Sequence, residues 1–255
     1  AAPPIGSALR GVRPGNYAGP VMTDVARDAS APTSARNAVV AAALDLFAAQ
    51  GFEATSVEQI AQAAGVSRST FFRQFGGKDD VVFSDHDVLL AQLREFLAQA
   101  RRSPRGERNE NPWAAACAAS VEVFRHFAGE PDLARRRYAV VRQVPALRER
   151  EIVTVFQYER LFDDYLRDAL PGLDPIDSVA FAAAVTAVHN HVLRRLLRGT
   201  EDVSEQVLWD AYDQLMHRFG VHPDGEDARD DDIVVASFPR RMPAAEITRR
   251  LRDAL

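Results

Sequence analysis

Prolines and glycines punctuate this chain so regularly that they leave it little choice of fold. Between residues 33 and 219, apolar residues recur at three-to-four spacing. The stretches open at Pro112, Pro131, Pro145 and Pro175 and stop at Gly51, Gly76, Gly129 and Gly199. Proline is tolerated in a first helical turn because its missing N–H has no helical acceptor there. Glycine suits the position just past the end because it takes left-handed backbone cheaply. No stretch before residue 230 alternates with the period of two that a half-buried strand requires. The spacing predicts helices over 33–50, 57–64, 68–75, 79–102, 112–129, 131–143, 145–170, 175–199 and 203–219, an all-α chain. Thr33 or Ser34 is the expected first N-cap. At 255 residues and 47% hydrophobic content the chain can bury one large core or two modest ones.

The flanks read differently. Residues 1–32 hold five prolines and four glycines without periodicity, as a flexible tail does. Residues 225–232 are acidic and read as a linker, 233–238 have strand-like composition, and Pro243 precedes a short helix with Ile247, Leu251 and Leu255 on one face. That face needs a partner surface, on the same chain or on a second subunit. Cys117 is the single cysteine, which rules out an internal disulfide and a cysteine-built metal cage; in its alanine-rich helix it reads as a small buried hydrophobe. With no run of about 18 apolar residues and no apolar leader core, a cytoplasmic chain without a membrane span is expected.

Two short helices meet at Gly65-Val66-Ser67, the geometry of a helix-turn-helix. Ser56 with Gln59 three residues on is a capping-box pattern opening the first, and Ser67 can cap the second. Ile60, Ala61, Ala64, Val66, Phe71 and Phe75 can share one small core, which leaves Arg68, Ser69, Phe72, Arg73 and Gln74 facing outward. From Gln59 to Lys78 there are three cations and no acid, inside a chain of net charge −5. The concentrated basic patch therefore coincides with the second short helix. Phosphate affinity needs only such a local field. Of 31 Lys and Arg residues only Lys78 is lysine.

Ala42-Ala43-Leu44-Asp45-Leu46-Phe47, Gly51-Phe52, Thr55-Ser56-Val57-Glu58-Gln59-Ile60-Ala61 and Ala64-Gly65-Val66-Ser67-Arg68-Ser69-Thr70-Phe71-Phe72-Arg73-Gln74-Phe75-Gly76-Gly77-Lys78 together resemble the DNA-binding domain of the tetracycline-repressor (TetR) family of bacterial regulators. The resemblance implies a three-helix DNA-binding domain over 33–82 and a helical effector-binding and dimerisation domain over 83–222, set between the tail over 1–32 and an extension over 223–255 that the family architecture does not require. It implies that Arg68, Ser69, Thr70, Arg73 and Gln74 face the major groove. An arginine there can pair with guanine in bidentate fashion, and Gln74 can read adenine. Ser56, Ser67 and Lys78 are then expected at phosphates. Ser67 reads equally as a cap only, and Thr70 as core. Phe72 stands where the family usually has a tyrosine, so it keeps the apolar packing and loses a hydroxyl contact.

The resemblance further implies a homodimer on a palindromic operator of double-stranded DNA, paired through the helices at about 176–198 and 203–219. Ala180, Ala182, Ala183, Ala184 and Ala187 are small enough for close helix packing there. It also implies a cavity for a small-molecule effector, with Phe124, Phe127, Tyr138, Val141, Phe156, Tyr158, Phe162 and His189 as candidate lining residues. Each also reads as core, because aromatics at helical spacing fill cores first. A hydrophobic, lipid-like or acyl-thioester molecule is one of several effector classes left open.

Arg135-Arg136-Arg137 reads as a solvated face, with one arginine turned inward to meet an anionic effector as the alternative. His189 and His191 point about 200° apart on a helix, which argues against a shared metal. No glycine-rich phosphate loop, serine elbow or zinc-spaced His-Glu pair marks an enzyme, and no cofactor is expected. Asp163-Asp164 and Asp230-Asp231-Asp232 read as solvated acids. The expected function is a transcriptional repressor released by its effector; a helical interaction protein without specific DNA binding is the alternative.

Overall fold

The computed structural model describes residues 30–102, 111–199 and 203–221, with side chains from residue 36 onward. Those residues form nine α-helices and no strand: α1 Ser30–Gln50, α2 Val57–Ala63, α3 Arg68–Phe75, α4 Lys78–Arg102, α5 Pro112–Gly129, α6 Pro131–Gln143, α7 Pro145–Ala169, α8 Pro175–Arg198 and α9 Glu205–Arg218. The proline rule holds at α5, α6, α7 and α8, where the proline occupies the first turn. Asn111 and Asp174 cap α5 and α8 with side-chain oxygens, and Gly199 closes α8 in left-handed backbone.

One boundary differs. Helix α1 starts at Ser30, ahead of the expected Thr33 or Ser34. Pro32 is its third residue, where a missing N–H is no loss because first-turn N–H groups have no helical partner. The expected strand at 233–238 and helix after Pro243 lie outside the described residues, as does nearly all of the expected tail.

Two apolar cores organise the helices. One joins α4, α5, α7, α8 and α9 through residues such as Leu93, Phe124, Phe162, Phe181 and Tyr212. The other joins α1, α2, α3 and the start of α4 to α6, for it contains Phe47, Ile60, Phe71, Phe75 and Val82 together with Leu133, Val140, Val141 and Leu147. The three-helix unit therefore finishes its core on the body. Helix α8 is long and apolar enough by composition to cross a membrane. Its buried residues (Ser178, Phe181, Ala182, Val185, Thr186, His189, Val192) recur at three-to-four spacing on the face packed against α5, α7 and α9, as in a core helix.

Candidate nucleic-acid interface and internal cavity

Helix α2 opens with a closed capping box. The Ser56 Oγ accepts from the Gln59 N–H at 3.2 Å, and the Ser56 N–H donates to the Gln59 Oε1 at 2.8 Å. Gln50 at the end of α1 donates to that same Gln59 oxygen at 3.1 Å, tying α1 to α2. The turn pivots on Gly65, whose φ of 68° is left-handed backbone that a side chain would strain. Ser67 then caps α3, accepting from the Thr70 N–H at 3.1 Å.

Phase does the rest. Phe71 is fully buried and Phe75 nearly so, with ring centroids 5.3 Å apart. The opposite face of α3 carries exposed Arg68, Ser69, Phe72, Arg73 and Gln74, while Thr70 is half-buried. Arg68 Nε lies 2.9 Å from Glu58, and its guanidinium stands 5.5 Å from the Phe72 ring. Phe72, 42% exposed, is therefore a shelf for that arginine as well as an apolar spot on the face. Arg73 has no ion pair among the described residues.

Lys78 is placed unlike the other basic residues of the segment. Its Nζ donates to the Phe52 carbonyl at 2.8 Å and the Thr55 carbonyl at 3.4 Å, and sits 4.3 Å from the Phe52 ring centroid. The ammonium thus holds the loop between α1 and α2 against the start of α4. The sequence reading missed this inward role; Phe52, a large apolar residue just after Gly51, was its only local signal.

A cavity of about 100 Å³ lies in the body. Of the residues expected to line it, Phe127, Tyr138, Val141, Tyr158, Phe162 and His189 do so. Phe124 and Phe156 do not. Phe124 is buried behind the wall, its ring edge-on to His189 at 6.4 Å, and Phe156 points outward at 63% exposure. The reason is helical phase: the inner stripe of α7 runs through Thr154, Tyr158, Phe162 and Tyr165, and Phe156 lies two residues off it. Phe83, His86, Arg137, Thr186, Leu193 and Leu197 also line the cavity and were not expected there.

Part of the wall is a buried polar cluster, completed behind it by Asp85 and His126. Arg137 Nη2 lies 2.9 Å from Asp85 Oδ2, and His126 Nε2 meets the same oxygen at 3.1 Å. Burial raises the pKa of Asp85, but Arg137 and the His126 hydrogen bond outweigh it and hold the carboxyl well below its usual range. His86 bonds the Tyr158 hydroxyl through Nδ1 at 3.0 Å, and burial pushes its pKa down to about 4. His189 shares a 3.1 Å bond with Ser120 and is also held at about 4 by burial. Both imidazoles are neutral at pH 7. Among the described residues no three His, Cys, Asp or Glu side chains are placed to hold a metal ion together.

Of the arginine run, Arg135 and Arg136 are exposed, paired with Asp132 and Asp45, whereas Arg137 is buried. The signal was present in the sequence: position 137 falls on the stripe formed by Leu133, Val140 and Val141. Asp163 is not a simply solvated acid, since it accepts from Ser178 Oγ at 2.6 Å.

Residues 39–84 match the family model of bacterial regulatory proteins, tetR family. The HTH-type transcriptional regulator TcmR of Streptomyces glaucescens is 43% identical over 72 residues, which are 28% of this chain and 30% of that protein. A Mycobacterium tuberculosis (strain ATCC 25618 / H37Rv) protein named for transcriptional regulation of mycofactocin biosynthesis, MftR, is 46% identical over 55 residues, 22% of this chain and 28% of the other. The chain thus spans less than a third of the length of these relatives. In fold, it resembles a TetR-family transcriptional regulator from Syntrophomonas wolfei str. Goettingen at a TM-score of 0.55 and 12% identity, over 73% of this chain and 95% of that one.

Proposed function

We propose that this chain, which belongs to the TetR family of bacterial regulators through its residues 39–84, is a homodimeric repressor that binds a palindromic operator and leaves it when a small molecule enters the body. The observation that carries this reading is the division of α3. Phe71 and Phe75 are consumed by the core, and the outward face collects Arg68, Ser69, Arg73 and Gln74 beside Phe72 on a helix short enough to lie in a major groove. Arg73 is the guanine reader, Gln74 the adenine reader, and Ser69 and Thr70 add hydroxyls beside them. Arg68 joins them once the operator phosphates draw it from Glu58. Ser56 and Ser67 stand at helix N-termini, where N–H groups and the dipole favour a phosphate. Lys78 acts indirectly, by fixing the loop that positions α2.

The second copy pairs along α8 and α9. Ile176 and Val179 are 77% and 50% exposed on α8, and Ala180 and Ala187 continue that open face. Two recognition helices on one two-fold axis gain affinity that a single short helix lacks. The effector acts only by as much as its affinity differs between the DNA-competent dimer and its alternative. In this role the chain is a binder rather than a catalyst, and it works in the cytoplasm, where its DNA lies.

Selection of bound fragments from genomic DNA at moderate salt tests the reading, with Arg73→Ala/Gln74→Ala beside the wild type. Enrichment of a palindrome, abolished in the variant, is expected. Enrichment of nothing above a steeply salt-dependent background would overturn it and favour a helical interaction protein.

A further inference from the structure

Taking the cavity as the effector site of the proposed repressor, we propose that its ligand is a small aryl carboxylate, with one aromatic ring against the apolar wall and its carboxylate on Arg137. The inference rests on that reading of the cavity and adds the ligand's chemical class.

Size comes first. A cavity on the order of 150 Å³ lined by apolar residues takes one benzene ring, and this one measures about 100 Å³. It therefore has room for about one ring and not for two, so a charged group on that ring must lie against the wall itself. The wall suits a ring, because Phe83, Phe127, Tyr158 and Phe162 offer aromatic faces and edges from three helices.

The polar group is set by what the cavity offers. Of the residues lining it, only Arg137 and Glu151 carry charge at neutral pH, since His86 and His189 are neutral. Glu151 lies near the edge, 3.8 Å from Arg194. Arg137 is more than nine-tenths buried. Asp85 takes its Nη2, and its Nε–H has no hydrogen-bond partner. An unpartnered, buried guanidinium N–H calls for an acceptor, and a carboxylate oxygen is the strongest one a small molecule brings. The guanidinium carbon also stands 5.4 Å from the Phe127 ring centroid, so an aryl group beside that ring lies within reach of Arg137.

The edge of the cavity has the matching sign. Arg198 Nε donates to the Tyr138 hydroxyl at 3.2 Å, and Arg142 stands 5.6 Å from the Tyr138 ring, so two cations flank one lining residue. With Arg194 beyond Glu151, three exposed arginines outnumber the one acid and raise the local concentration of an anion.

Calorimetry on the full chain decides it, with benzoate, benzamide and toluene as probes at pH 7. Benzoate is expected to bind at least tenfold tighter than toluene, with benzamide between them. In Asp85→Asn/Arg137→Gln, which removes both charges together, benzoate falls to the level of toluene while toluene is unchanged. Toluene binding as well as benzoate, no binding of either, or full benzoate affinity in the double variant each overturns the proposal. The wild-type ranking needs no variant, so it stands even where the double variant does not fold. Operator selection on the same protein separates the two readings. A palindrome with no preference for benzoate sinks the ligand class alone. Benzoate preference with no palindrome sinks the repressor and leaves the site.

Discussion

The helix-turn-helix and the cavity solve the problem of placing polar groups in opposite ways. Ser56 finds its partner three residues away at Gln59, and Ser67 finds its own at Thr70. His86 reaches 72 residues along the chain to Tyr158, and Ser120 reaches 69 residues to His189. In the first region the chemistry faces outward on a scaffold whose rules are local. In the second it faces inward, and each group depends on helices brought together by the whole fold. Substitutions on the outward face of the first should therefore alter DNA binding and spare stability, whereas those in the second should cost stability and spare DNA binding.

Acid is expected to strain this contrast most. His86, packed beside Asp85, Arg137, His126 and Tyr158, and His189, packed beside Ser120 and Phe124, are neutral in the fold with pKa values near 4. The unfolded chain takes up those protons near pH 6.5. Stability is thus full above about pH 6.5 and is lost as pH falls towards about 4, at roughly 1.4 kcal/mol per unit of depression for each imidazole. Urea midpoints at pH 7 and pH 5 measure this, and His189→Gln should remove part of the loss. A midpoint that does not move between those values would break the comparison, since residues 36–82 contain no histidine to compensate.

Next in size is Asp85→Ala, which leaves Arg137 buried without its counter-charge and should cost about 3–5 kcal/mol. Urea unfolding followed by the fluorescence of Trp113 and Trp209, both in the body, reads it. Arg73→Ala should do the converse, shifting stability by no more than about 0.5 kcal/mol. It should cost about 1–3 kcal/mol in affinity for the selected operator and relax the choice of base at one position. Fluorescence anisotropy with that operator and with copies altered at single positions measures both. The smallest effect is that of Ser56→Ala, about 1 kcal/mol from the lost cap. It should be equal at pH 7 and pH 5, because no titrating group touches it.

The same contrast explains what could be read from the sequence. The capping box, the turn at Gly65 and the prolines opening α5 to α8 are short-range chemistry, so their positions follow from neighbouring residues. The burial of Phe71 and Phe75 follows from their spacing of four. Arg137 was obscured by two exposed arginines before it, although its phase with Leu133 and Val141 marked it as inward. Its partner Asp85 is on another helix, and nothing in either segment points to the other. Phe156 turns outward because helical phase, not aromatic character, decides which face of α7 a residue takes. Lys78 was expected at a phosphate because charge alone does not say which way a flexible side chain turns.

Val141 belongs both to the apolar core that α1, α2 and α3 share with α6 and to the wall of the cavity. A protein engineer who wished to transplant the reading head onto another sensor would therefore meet a seam that the linear order conceals. Splicing after residue 82 would strip the core of α1 to α3 of the α6 side chains that complete it, at the packing of α1 on α6. The graft would have to carry residues 131–147 as well, and with them one wall of the original sensor. In the proposed repressor, specificity for DNA and specificity for the small molecule would thus not be freely interchangeable parts. They would be inherited together through one helix.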